Sequence, residues 1–113
     1  MGYADPLGEG WCQTELEVGE QHQQQDGFVH AGVQATMADH SAGTAAATLI
    51  GPGQYVLTVE FKINLLRPAR GERLNCRVQV LKPGKSLIVV ESEVYTQKRV
   101  SKATVTVAVL EKP

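Results

Sequence analysis

The chain has 113 residues, 42% of them hydrophobic and 20% charged, with a formal net charge of −1. This is the composition of a folded globular domain and excludes a disordered chain or a dedicated nucleic-acid binder. No apolar run approaches the roughly 20 residues of a membrane helix, and residues 1–10 lack a basic segment followed by an apolar one. One cytoplasmic domain over residues 1–113 is therefore expected, with no membrane partner. The near-neutral total hides a division. Residues 1–61 hold eight acidic residues and no Lys or Arg, while residues 62–113 hold all eleven Lys and Arg with four acidic residues. Seven of those cations fall between Lys62 and Lys85, a distribution suited to a local site for an anionic ligand.

In chain order, residues 11–18 alternate, with Cys12, Thr14, Leu16 and Val18 on one side, and predict a half-buried strand. Residues 19–27 are polar and predict a loop in which His22 is solvated. In residues 31–48, thirteen of eighteen are Ala, Gly, Ser or Thr, and Val33, Met37, Ala38, Ala42, Ala45 and Leu49 recur at helical spacing. A long helix able to pack closely is expected, stopped by Gly51-Pro52-Gly53. Residues 57–65 predict a strand with Leu57, Val59, Phe61, Ile63 and Leu65 on one face. Residues 74–80, 87–95 and 102–109 predict three more, joined by turns such as Lys82-Pro83-Gly84-Lys85. Short links make neighbouring strands antiparallel, so the fold class is α+β, one long helix covered by one antiparallel sheet. Cys12 and Cys76 lack metal-ligand spacing and are expected reduced in strands. Gly84-Lys85-Ser86 lacks the earlier glycine and the strand-to-helix transition of a phosphate loop.

Two features of the helix bear on chemistry. Its start at Ala31 and Gly32 offers N–H groups without intrahelical acceptors, reinforced by the helix dipole, and such donors polarise a carbonyl. Asp39 lies mid-helix, where a buried unpaired carboxylate would be costly. It is either solvent-facing or hydrogen-bonded to a strand in a structural role, or it is a base or nucleophile. Ala31 and Asp39 are about 12 Å apart along a helix rising 1.5 Å per residue, so one site can use both only across two chains. The functional reading thus predicts a symmetric dimer with antiparallel helices.

The segment Gly27-Phe28-Val29-His30-Ala31-Gly32-Val33, followed by Ala38-Asp39-His40-Ser41-Ala42-Gly43, resembles the hot-dog-fold acyl-CoA thioesterases, in particular the phenylacetate-degradation and 4-hydroxybenzoyl-CoA group. The run Leu65-Leu66-Arg67-Pro68-Ala69 is similar to the family's turn after its central strand, and the likeness spans residues 8–110. The resemblance implies a five- or six-stranded antiparallel sheet wrapped around the helix, assembled as a homodimer and homotetramer. It also implies hydrolysis of an acyl-CoA to a free acid and coenzyme A, with no metal or redox cofactor. It assigns Asp39 as nucleophile or general base and the Ala31/Gly32 helix start as carbonyl polariser. Gln24 would orient carbonyl or water, His30 would position the helix start, and Thr58 would hold water. Arg67, Lys82, Lys85 and Ser86 are the candidates for coenzyme A phosphates, with a solvated role as the alternative. Ala31 stands where the family has glycine, His40 follows the acid, Gly43 stands where one branch has threonine, and the family's N-terminal helix is missing. These departures leave two other readings: a non-catalytic acyl-CoA binding module, and a hydratase or dehydratase on the same fold. The motif expected of a hydratase is absent.

Overall fold

A computed structural model describes residues 2–113, with side chains from residue 7 onward. The strands are β1 (Gly2–Gly8), β2 (Trp11–Glu17), β3 (Gln54–Leu65), β4 (Arg73–Lys82), β5 (Leu87–Tyr95) and β6 (Arg99–Glu111); the helix α1 (Ala31–Ala47) follows β2. All six strands form one antiparallel sheet in the order β1-β2-β4-β5-β6-β3. The expected hot-dog arrangement of one sheet around one long helix is present. Among the described residues no helix is long and apolar enough to cross a membrane.

The helix exists because residues 31–47 are rich in Ala and free of Pro. It buries Gln34, Met37, Ala38, Ser41, Ala42, Ala45 and Ala46, the i, i+3, i+4 stripe of a helix with one covered face. The small side chains let the sheet approach closely. Ser92 Oγ–H donates to Ala38 O at 2.8 Å, and the Thr14 and Ser41 hydroxyls share a 2.7 Å bond in the core. The stripe differs from expectation at its start, where Gln34 is buried and Val33 only half-buried. The helix closes at Thr48, whose hydroxyl donates to Ala45 O at 2.7 Å.

Two strand assignments change. Residues 2–8, for which the pattern predicts no element, form the edge strand β1. Their register slips between Ala4 and Leu7, across Pro6, which lacks an N–H and is tolerated at an edge or bulge. In β3 the register slips between Thr58 and Glu60. That bulge reverses the expected faces in the first half of the strand. Leu57 and Val59 are 54% and 56% exposed, while Thr58 turns toward the helix. Beyond the bulge Phe61 and Ile63 pack against the core as expected.

Cys12 and Cys76 lie on the inner face, 1% and 0% exposed and unpaired. Burial pushes the Cys12 thiol up to about 11 and the Cys76 thiol up to about 12, from an ordinary value of 9.0. A thiol reagent is therefore expected to label neither cysteine in the native protein near about pH 8 and both after unfolding. Because the folded values lie above the unfolded one, the linked stability is intact below about pH 9 and lost as pH rises towards 12. A thermal-midpoint series through that range reads the effect directly.

Candidate active site

The helix start is held by the two segments that carry the sequence resemblance. Val29 N–H donates to Ala69 O at 2.8 Å, joining the loop before α1 to the turn after β3, and both residues are buried. Arg70 stacks over the Phe28 ring at 4.5 Å and donates to Asp26 O. Gln24 opens a tight turn in which Gly27 N–H donates back to Gln24 O at 3.1 Å. Gly27 adopts φ 80°, a conformation glycine takes without strain. His30 is the N-cap in an extended conformation, with no side-chain capping bond. Its main chain anchors the site: His30 N–H donates to His22 O at 2.9 Å, and its carbonyl accepts from Val33 and Gln34 N–H at 3.1 and 3.3 Å. His22 is half-buried rather than solvated, because its Nδ1 accepts the Gly19 N–H at 2.8 Å.

Ala31 and Gly32 N–H have no backbone acceptor among the described residues. Both residues are exposed, so these donors, with the positive end of the helix dipole, face outward. The added methyl at Ala31 leaves the donor in place. Cavities flank this point. One of about 390 Å³ is lined by Gln24, Phe28, Ala31, Gln34, Leu66 and Arg67, among others. A second, of about 590 Å³, is lined by Leu16, His22, His30, Gly32, Val33 and Thr36. The predicted site residues near the helix start thus divide between two adjoining hollows. Gln34 was missed by pattern reading, although it sits three residues after Ala31 and so on the same helix face.

Asp39 stands apart from that start, about 12 Å further along the unbroken helix. It is half-buried, and Thr58 Oγ1–H donates to its Oδ1 at 2.7 Å. The strand partner expected as one alternative is therefore real, and it orients the carboxylate. His40, beside it, lies on the exposed helix surface. Asp39 borders β3, whose outer edge has no partner strand among the described residues.

The basic segment is scattered. Arg73 pairs with Glu15, Arg99 with Glu93 at 2.5 Å and Lys102 with Glu91 at 3.2 Å. The fold thus sets part of the basic half against acids within the chain. Arg67 lines the cavity by Ala31 and donates to Arg99 O at 2.7 Å. Lys82, Lys85 and Ser86 are exposed at the opposite end of the molecule, where the helix finishes. That placement follows from Val80 N–H donating to Gly10 O at 2.7 Å, and Gly10 N–H to Thr48 Oγ1 at 2.7 Å. Within one chain these three residues and Arg67 do not meet.

Residues 26–103 match the family model of the Thioesterase superfamily. The chain is 30% identical to the 1,4-dihydroxy-2-naphthoyl-CoA hydrolase of Listeria monocytogenes, a match covering 99% of this chain and 98% of that relative. Among solved structures it is similar to a thioesterase family protein from Silicibacter pomeroyi, with 37% identity and a TM-score of 0.91 over 95% of this chain and 82% of that one. It is also similar to BH2602 of Bacillus halodurans, solved with CoA, at 30% identity and a TM-score of 0.84 over 87% of this chain and 66% of that one. The protein belongs to the Thioesterase superfamily, and its enzymatic class is thioester hydrolase.

Proposed function

We propose that the protein hydrolyses acyl-CoA thioesters at sites shared between two copies of the chain, without a metal or redox cofactor. The observation that carries this reading is the separation of two complementary half-sites on one rigid helix: unsatisfied N–H donors at Ala31 and Gly32, and the Thr58-held carboxylate of Asp39 about 12 Å away. The free edge of β3 supports the pairing. It runs twelve residues beside Asp39 and carries exposed Tyr55, Leu57 and Val59, a hazard that a second copy would remove. A two-fold arrangement with antiparallel helices sets the helix start of one chain against Asp39 of the other.

In that site the thioester oxygen accepts from the Ala31 and Gly32 N–H groups, which stabilise the charge that builds as the carbonyl carbon is attacked. Asp39 either takes a proton from the attacking water or attacks the carbon itself. The carbon–sulfur bond then breaks, and the thiolate leaves as coenzyme A and takes up a proton; where Asp39 itself has attacked, water then cleaves the acyl–aspartyl anhydride, releasing the free acid and restoring the carboxylate. Gln24, on its turn beside Ala31, orients the carbonyl or the water, and His30 fixes the loop. The same antiparallel geometry brings the Lys82, Lys85 and Ser86 turn of one chain towards Arg67 of the other, so both can meet the phosphates of the carrier. CoA bound to BH2602 and the name of the Listeria relative support a CoA thioester, and the latter an aromatic acyl group. An aromatic acyl group also fits the phenylacetate and 4-hydroxybenzoyl-CoA group.

A thiol-release screen over aromatic, medium-chain and branched acyl-CoAs tests the reading. Turnover is expected with at least the aromatic members. Acyl-CoA binding without thiol release across the panel would leave a binding module instead, and hydration of an enoyl-CoA without thiol release would make the protein a hydratase.

A further inference from the structure

The cavity beside the helix start contains a polar group that the proposed chemistry leaves unused. Gln34 is 4% exposed and lines this cavity, and its Oε1 is buried with no hydrogen-bond partner among the described residues. A buried acceptor without a donor is destabilising, and the cost is removed when a donor arrives. Gln24 and Arg67 also line the cavity, but neither is bonded to this oxygen. Phe28, Val29, Leu65, Leu66, Pro68 and Ala69 make most of the remaining wall apolar. Position matters as much as chemistry. Gln34 lies three residues after Ala31, on the same face, and helical side chains lean back towards the N-terminus. Its amide therefore stands close to the point where the Ala31 and Gly32 N–H groups receive a carbonyl.

We infer that Gln34 is a specificity-determining residue that accepts a hydrogen bond from an O–H or N–H donor on the bound thioester, a few ångströms from its carbonyl. The inference rests on the reading of this cavity as the thioester site. The donor has two possible sources, a hydroxyl on the acyl group or the amide N–H of the carrier's pantetheine arm nearest the sulfur. A largely apolar wall with one unpartnered buried acceptor favours ligands that bring the matching donor, since a ligand without it leaves that acceptor buried and unpaired.

The test is calorimetric binding of two non-hydrolysable thioether analogues of acyl-CoA, identical except for one hydroxyl on the acyl group, to the wild type and to Gln34→Met. Methionine keeps the length and bulk of the side chain but offers no comparable acceptor. Removing an unpartnered buried amide is expected to raise or preserve the ligand-free thermal midpoint while weakening binding about tenfold. A loss confined to the hydroxylated analogue assigns the donor to the acyl group. An equal loss on both, with the midpoint held, assigns it to the pantetheine amide. Unchanged affinity for both analogues would overturn the inference, as would an equal loss accompanied by a lowered midpoint, which marks a structural role. Because the readout is binding, a wild type that binds the analogues but releases no thiol from real thioesters overturns the hydrolase reading and not this one. A wild type that binds neither analogue overturns both.

Discussion

Asp39→Asn is expected to lower thioester turnover by about 10²- to 10⁴-fold, the range for removing a positioned base, with little change in folding. The substitution preserves shape, and its amide oxygen can still accept the Thr58 hydroxyl that now bonds Asp39 Oδ1 at 2.7 Å. The oxygen that the proposed mechanism uses is the one that changes character. Oδ2, the oxygen that Thr58 does not bond, becomes an amide nitrogen that can neither take a proton from water nor attack a carbonyl. Thiol release from the best acyl-CoA of the screen, read alongside a thermal midpoint, separates loss of chemistry from loss of fold. Near-full activity in this variant would remove Asp39 from the mechanism and return it to the structural role that its bond to Thr58 also fits.

The second large effect is a recovery of activity between two inactive chains. Ala31→Pro removes one of the N–H groups proposed to polarise the carbonyl and is expected to leave the helix intact. Proline is favoured at the first helical position, and His30 already has the extended conformation that a following proline requires, φ −57° and ψ 141°. Losing such a donor costs about 10²- to 10³-fold in turnover. Co-expressed with Asp39→Asn chains under a second tag and purified as the mixed dimer, the pair is expected to recover about half of wild-type activity. One of the two symmetric sites then combines an intact helix start with an intact carboxylate. A mixed dimer as inactive as either parent would show that one chain supplies both groups, against the separation that the unbroken helix imposes.

The helix was legible in the sequence because its signals are local: an Ala-rich run without proline, a polar loop before it and Gly51-Pro52-Gly53 after it. Strands β4 and β6 were legible for the same kind of reason, since alternation repeats every two residues, and β5 because its residues are rich in β-branched side chains. β1 was not, because Pro6 argues against a strand unless the strand lies at an edge, and edge position is a property of the assembled sheet. Gln34 was passed over because a glutamine in a helix reads as a surface residue until its neighbours are in place.

The candidate site divides along the same line. Composition and spacing alone determined that a carboxylate sits mid-helix, eight residues beyond the helix start, and hence that the two groups lie too far apart to meet in one chain. That conclusion needs only the rise of a helix. The tertiary structure decided what holds the carboxylate. Thr58 reaches Asp39 only because the bulge after it shifts the register of β3 and turns a residue expected outside towards the helix. A one-residue bulge reverses the alternation on one side of it relative to the other, and nothing local in residues 57–65 announces it. The tertiary structure also placed the basic turn at the opposite end of the molecule from Arg67, since distance along the chain does not tell which end of a sheet a turn will occupy.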